Sequence, residues 1–117
     1  MRKTAKQTKT LDGHQLFEAL LSGLHMVERK QDYLNKINVY PVPDGDTGTN
    51  ITATLSYALE TAEVTDSAGE TMSSIADAAL VGARGNSGII FAQFLSGLSE
   101  AMRDAQNVAK ERFVHAA

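Results

Sequence analysis

At 117 residues, with 43% of them hydrophobic, the chain has the size of one domain and the apolar share of a packed globule rather than of a disordered segment. It contains no cysteine, which excludes disulfide frameworks, thiolate zinc sites and cysteine nucleophiles together and suits a reducing, cytoplasmic setting. Between Lys36 and Arg84 there is no Lys or Arg, while Asp44, Asp46, Glu60, Glu63, Asp66, Glu70 and Asp77 all fall there. A nucleic-acid partner, which demands clustered basic side chains, is therefore not expected.

The opening MRKTAKQTKT carries Arg2, Lys3, Lys6 and Lys9 without an acid. Asp12, His14 and Glu18 follow where a signal peptide would need its apolar core, so residues 1–10 read as a flexible basic tail and 11–117 as the domain. Asp12 then reads as an N-cap with Gln15 closing a capping box and Leu11 stapled on Leu16. The apolar stripe of this first helix runs Leu16, Leu20, Leu24 and Val27, with Phe17 and Leu21 beside it, and its pattern extends to Tyr33, Leu34 and Ile37. Pro41 and Pro43 forbid helix and push the residues before them into extended conformation, giving a rigid loop.

A second helix follows, capped by Asp46 or Thr47, with Ile51, Leu55, Ala58, Leu59 and Ala62 on one face. The third starts at a capping box from Ser67 to Glu70 and buries Met72, Ile75, Ala76, Ala79 and Leu80. After the glycine-rich GARGNSG, residues 82–88, a fourth shows Ile90, Phe91, Phe94, Leu95, Leu98 and Met102, and a fifth begins near Asn107. No stretch approaches the run of about 20 apolar residues that a membrane helix needs; the longest candidate, around GIIFAQFL, is short and holds a glutamine. The fold class expected is all-α, an antiparallel helical bundle with two special loops, each placed just before a helix.

Those loops hold the candidate chemistry. In NVYPVPDGDTGTN, residues 38–50, Asp44 and Asp46 are separated by one glycine, and two carboxylates so close converge only when something neutralises their repulsion. Magnesium does so with one or two carboxylates, keeping water and substrate phosphate in its other positions. Thr47 to Asn50 then open a helix, and helix N-termini attract anions. In GARGNSG, Gly85 and Gly88 permit close backbone approach to a ligand, while Asn86 and Ser87 offer side-chain donors.

Plainer readings stand beside these. Asp-Gly-Asp equally marks a turn with an N-cap, and the small residues of GARGNSG equally serve close helix packing. Arg84 reads as a solvated helix-end charge as well as a phosphate clamp. His14 and His25 return to nearly the same helix face without a third ligand, and read as structural. A Walker-type phosphate loop needs a lysine that is absent here. A calcium EF-hand starting at Asp44 would put Leu55 where its bidentate glutamate belongs.

Taken together, NVYPVPDGDTGTN and GARGNSG, each leading into a helix, resemble the nucleotide-binding kinase domain of the dihydroxyacetone kinase family, and most closely its fatty acid kinase branch. The resemblance spans residues 11 to 105 or so. It implies an antiparallel helical barrel whose loops at one end hold ATP through magnesium bound by aspartates. Position by position, it implies Asp44 and Asp46 as magnesium ligands, Thr47, Gly48, Thr49 and Asn50 as the phosphate-binding helix entrance, and Asn86, Ser87 and Gly88 as the second nucleotide loop. Where the dihydroxyacetone branch has a further aspartate, this chain has the neutral Asn38, a ligand through its carbonyl or a residue that holds the loop.

The activity implied is phosphoryl transfer from ATP, to a fatty acid carboxylate presented by a separate carrier protein in one branch and to dihydroxyacetone in the other. No general base is identifiable, and a carboxylate acceptor, already ionised near neutral pH, needs none. The family's kinase domain continues beyond where this chain stops. Helices lacking neighbours expose apolar surface, so self-association or a complementing chain is expected. A truncated module acting in protein interaction, binding nucleotide weakly or not at all, is the alternative.

Overall fold

The computed structural model describes residues 10–37, 45–103 and 108–109. Strand β1 is Thr10–Leu11, and helix α1 covers Gly13–Arg29. Asp12 caps α1 as the sequence predicts: its carboxylate accepts from the Gln15 amide at 2.9 Å, and the Gln15 side chain accepts from the Asp12 amide at 3.0 Å. Two donors left orphaned by helix geometry are thereby satisfied reciprocally.

The helix does not run on to Ile37. At Lys30 (φ -101°, ψ 7°) the backbone departs from helical geometry, and its N–H is shared between the Met26 and Val27 carbonyls, each at 3.1 Å. A separate short helix, α2, follows over Gln31–Lys36. Tyr33 and Ile37, placed in the apolar pattern by their spacing, are consequently exposed.

Helix α3 is Thr47–Thr61, α4 is Ala68–Val81 and α5 is Gly85–Ala101. Half of the expected capping box on α4 forms. Ser67 Oγ accepts from the Glu70 amide at 3.2 Å, but the Glu70 carboxylate accepts from Thr65 Oγ1 at 3.3 Å instead of turning back to the cap. The helix expected from Asn107 is corrected at its start. Val108–Ala109 form strand β2, paired antiparallel with β1 in the register Thr10 with Ala109 and Leu11 with Val108, so pairing with a distant segment overrides local helical propensity.

Helices α1, α3, α4 and α5 enclose one core in which Leu16, Leu55, Met72, Ile75, Leu95 and Met102 are almost wholly buried. α3 packs against all of the other helices, α2 included. Leu55, Ala58 and Leu59 fall on its inner side as the periodicity predicts, with Ala62 packed on the core just past its end, while Ile51 is half-buried. Met72, Ile75, Ala76 and Ala79 on α4 and Leu95, Leu98 and Met102 at the end of α5 are buried as expected, and three residues of the two patterns are not. Leu80 is 45% exposed, and on α5 the buried face runs Gly88, Ala92, Leu95 and Leu98, leaving Ile90 and Phe94 64% and 45% exposed. The small residues decide this: a Cβ on Gly88 would lie 2.3 Å from Thr54 Oγ1, so α5 approaches α3 through its glycine.

Candidate functional site

The two motifs meet. α3 begins two residues after Gly45 and α5 begins at Gly85, and both glycines have positive φ, 72° and 70°. That conformation costs glycine little and other residues more, and it turns the chain sharply into each helix. Asn50 and Thr54, one turn apart on α3 and both buried, carry the second motif. A Cβ at Gly85 would lie 2.2 Å from Asn50 Nδ2, and the Arg84 amide donates to Thr54 Oγ1 at 3.0 Å. Two helix N-termini far apart in sequence are thus set side by side.

Between them lies a pocket of about 380 Å³ lined by Thr47, Ile51, Ser87, Ile90, Phe91 and Phe94. Its hydroxyls come from the first turns of α3 and α5, and its walls are aliphatic and aromatic. Phe91 and Phe94, with ring centroids 6.3 Å apart, also border a groove of about 260 Å³ that continues between α1 and α5 past Leu20 and Val27. Pocket and groove are both lined almost wholly by apolar surface, with Thr47 and Ser87 at the edge of the first.

The first entrance is closed from behind. Asp46 occupies the N-cap position of α3, but its side chain makes no capping bond. Asn35, on α2, does so in trans. Its Oδ1 accepts from the amides of Gly48 at 2.8 Å and Thr49 at 3.2 Å, while the Asn50 amide donates to the Asp46 carbonyl at 2.9 Å. The second entrance is different. Arg84, extended and exposed, stands at the N-cap position of α5 without a side-chain capping bond; Asn86 is exposed, Ser87 half-buried and Gly88 buried.

Of the residues singled out by sequence, the fold brings Thr47 and Asn50 to Ser87 and Gly88. Gly48 and Thr49 of the same turn contact α2, Asn86 is exposed and Asp46 stands at the N-cap position of α3. Asp44 and Asn38 lie outside the described residues. His14 pairs with Asp66 at 3.1 Å on the far side of α1, and is not drawn into the site. Asn35, Gln31 and Thr54 were not singled out. Their signal in the sequence is slight: two carboxamides one helical turn apart just before the proline loop, and a threonine one turn after Asn50 on the same face.

A model of the DAK2 domain matches residues 41–117, which contain the first motif from Pro41 onward and the whole of the second. The chain belongs to the DAK2 domain family. DAK2 domains are kinase-related modules of the dihydroxyacetone kinase type. Relatives agree: an uncharacterized protein of Staphylococcus saprophyticus is 34% identical over 88% of this chain and 19% of its own length. Protein YloV of Bacillus subtilis is 34% identical over 92% of this chain and 20% of its own length. An uncharacterized protein of Staphylococcus haemolyticus is 37% identical over 74% of this chain and 16% of its own. The chain spans about a fifth of the length of the first two.

The donor chemistry of this DAK2 chain fits a nucleotide with magnesium. The oxygen donors are hard: the Asp46 carboxylate and the hydroxyls of Thr47 and Ser87, beside two helix N-termini that favour negative charge. Among the described residues no three His, Cys, Asp or Glu side chains gather into a cage. An ion that takes one or two carboxylates and completes its shell with phosphate and water needs no such cage. Among the same residues no helix is long and apolar enough to cross a membrane.

Proposed function

We propose that this chain is the nucleotide-holding part of an ATP- and magnesium-dependent kinase whose acceptor is a fatty acid carboxylate presented by a separate carrier protein. The observation that carries the reading is the juxtaposition of two helix entrances, each reached through a glycine of positive φ and both facing one pocket. Thr47, Gly48, Thr49 and Asn50 form one side of the phosphate seat, and Asn86, Ser87 and Gly88 the other. Asp44 and Asp46 hold magnesium, with Asn38 as a further ligand or the residue that holds the loop. The bound ion supplies charge neutralisation at the phosphates.

The rest of the chemistry is positioning. Phosphoryl transfer asks for in-line placement and preorganised dipoles more than for covalent chemistry, and fixed helix entrances provide both without reorganising. A carboxylate acceptor arrives ionised and needs no general base. Dihydroxyacetone, whose hydroxyl must lose a proton, is the second acceptor to try. The reaction belongs in the cytoplasm, where ATP is plentiful.

A second reading has its own support. Ile89, Ile90 and Phe94 are 50%, 64% and 45% exposed along one side of α5, and apolar surface of this kind suits an interface with the rest of a longer protein, a second copy or the carrier. Calorimetric titration of the chain with ATP, with and without magnesium, separates the two. Saturable binding only with magnesium, abolished in the double variant Asp44→Asn and Asp46→Asn while helicity stays intact, is the result expected. Equal binding by that variant would remove the magnesium assignment, and no binding by the unaltered chain would favour the interaction module.

A further inference from the structure

The nucleotide reading leaves one well-placed side chain without a task. Asn35 accepts two backbone N–H groups with Oδ1, and this double acceptance fixes which end of its carboxamide is oxygen. Its Nδ2 is therefore the group turned to Thr49 Oγ1, 3.1 Å away. Gln31, one turn earlier on α2, donates to the same oxygen from Nε2 at 3.2 Å. A hydroxyl has two lone pairs and one proton. With both lone pairs engaged from the α2 side, what Thr49 has left to offer is its proton, and Thr49 is exposed.

The backbone enforces the arrangement. A Cβ at Gly48 would lie 2.6 Å from the Gln31 carbonyl oxygen and 3.0 Å from Gln31 Cα, so α2 seats against the first turn of α3 only because that position is glycine. We infer that Asn35 is a positioning residue of the nucleotide seat, capping α3 in trans and, with Gln31, presetting the Thr49 hydroxyl as a donor to a phosphate oxygen. The Gly48 and Thr49 amides are spent on Asn35 before any ligand arrives. The anion is then met by a hydroxyl proton and by the open entrance of α5.

This inference rests on the nucleotide reading, and the test separates the two. The 117-residue chain is titrated with magnesium and ATP, and exchange of the Gly48 and Thr49 amides with solvent is followed by nuclear magnetic resonance. Asn35→Asp keeps an acceptor for both amides at a helix terminus that welcomes negative charge. It also loses the donor to Thr49 and sets a carboxylate near the phosphates. It should melt no lower than the unaltered chain and keep both amides protected, yet bind at least about tenfold more weakly, the scale of one charged hydrogen bond.

Thr49→Ser should bind within about threefold of the unaltered chain, and Thr49→Val about tenfold or more below it. Asn35→Ala should lose protection at the two amides before any loss in α4. Unaltered affinity in Asn35→Asp or in Thr49→Val would confine these residues to the fold and overturn the inference. Failure of the unaltered chain to bind would instead overturn the nucleotide reading, and this inference with it.

Discussion

The four long helices divide into two pairs by how they begin. α1 and α4 cap themselves, through Asp12 with Gln15 and through Ser67. α3 and α5 carry the motifs and do not: neither Asp46 nor Arg84 makes a side-chain capping bond. Both are steadied by a residue of another helix, Asn35 of α2 for the first and Thr54 of α3 for the second. Asn35 takes the Gly48 and Thr49 amides of α3 from behind, so that entrance has the Thr49 hydroxyl left to offer. The Thr54 contact at the Arg84 amide, by contrast, leaves the first-turn amides of α5 without a side-chain cap. The site is thus a relay in which α2 places α3 and α3 places α5.

The largest effects should come from the glycines at the head of each pair. Gly13 opens the self-capped α1, and a Cβ there would lie 1.8 Å from the Thr65 carbonyl oxygen and 2.7 Å from that of Ser67. Backbone gives way poorly, so Gly13→Ala should cost about 3 kcal/mol or more. At Gly85 the same change meets the Asn50 side chain and a φ of 70°. About 2 kcal/mol is expected there, from strain and displacement together. Denaturation in urea gives both values. The comparison is broken if Gly13→Ala alters nucleotide binding once refolded, or if Gly85→Ala leaves it intact.

Thr54→Val comes next, because it keeps shape while deleting the acceptor beneath α5. The residue is 0% exposed, and the Arg84 amide would be left without its partner. A loss of about 1–3 kcal/mol is expected. Since Thr54 lies on α3 and the groups it places lie on α5, nucleotide affinity should fall as well, although Thr54 does not line the pocket. Lost stability with unaltered affinity would mean that the second entrance does not depend on the first.

The division also explains what could be read from the sequence. Self-capped helices announce their starts locally, and Asp12 with Gln15 and Ser67 needed only spacing. The starts of α3 and α5 were legible because Gly45 and Gly85 lie in short polar runs just before apolar periodicity, whereas Pro41, Pro43 and Asp44 lie outside the described residues. Asn35 and Thr54 were not, because nothing in a helical pattern tells a polar residue that supports a neighbour from one that faces water. Nor was the exposure of Ile90 and Phe94 on α5. Apolar spacing placed them with Leu95 and Leu98, but the close approach allowed by Gly88 and Ala92 set the buried stripe beside them, and small residues carry little weight in a hydrophobic periodicity. The strand at Val108–Ala109 depends on a partner nearly a hundred residues away.

The smallest effect tests the self-capped side. Ser67→Ala removes the acceptor for the Glu70 amide, and loss of such a cap typically costs about 1 kcal/mol. The Thr65 hydroxyl accepts from the Ser67 amide at 3.1 Å, and its contact with the Glu70 carboxylate holds the same turn. Both survive the change, which should keep the loss at or below that figure. Ser67 lies outside the lining of the pocket between α3 and α5, so affinity for magnesium and ATP should be unaltered at a temperature where both proteins are folded. A matching fall in affinity would mean that the caps of α1 and α4 also feed the site, and the two pairs of helices would then form one cooperative unit.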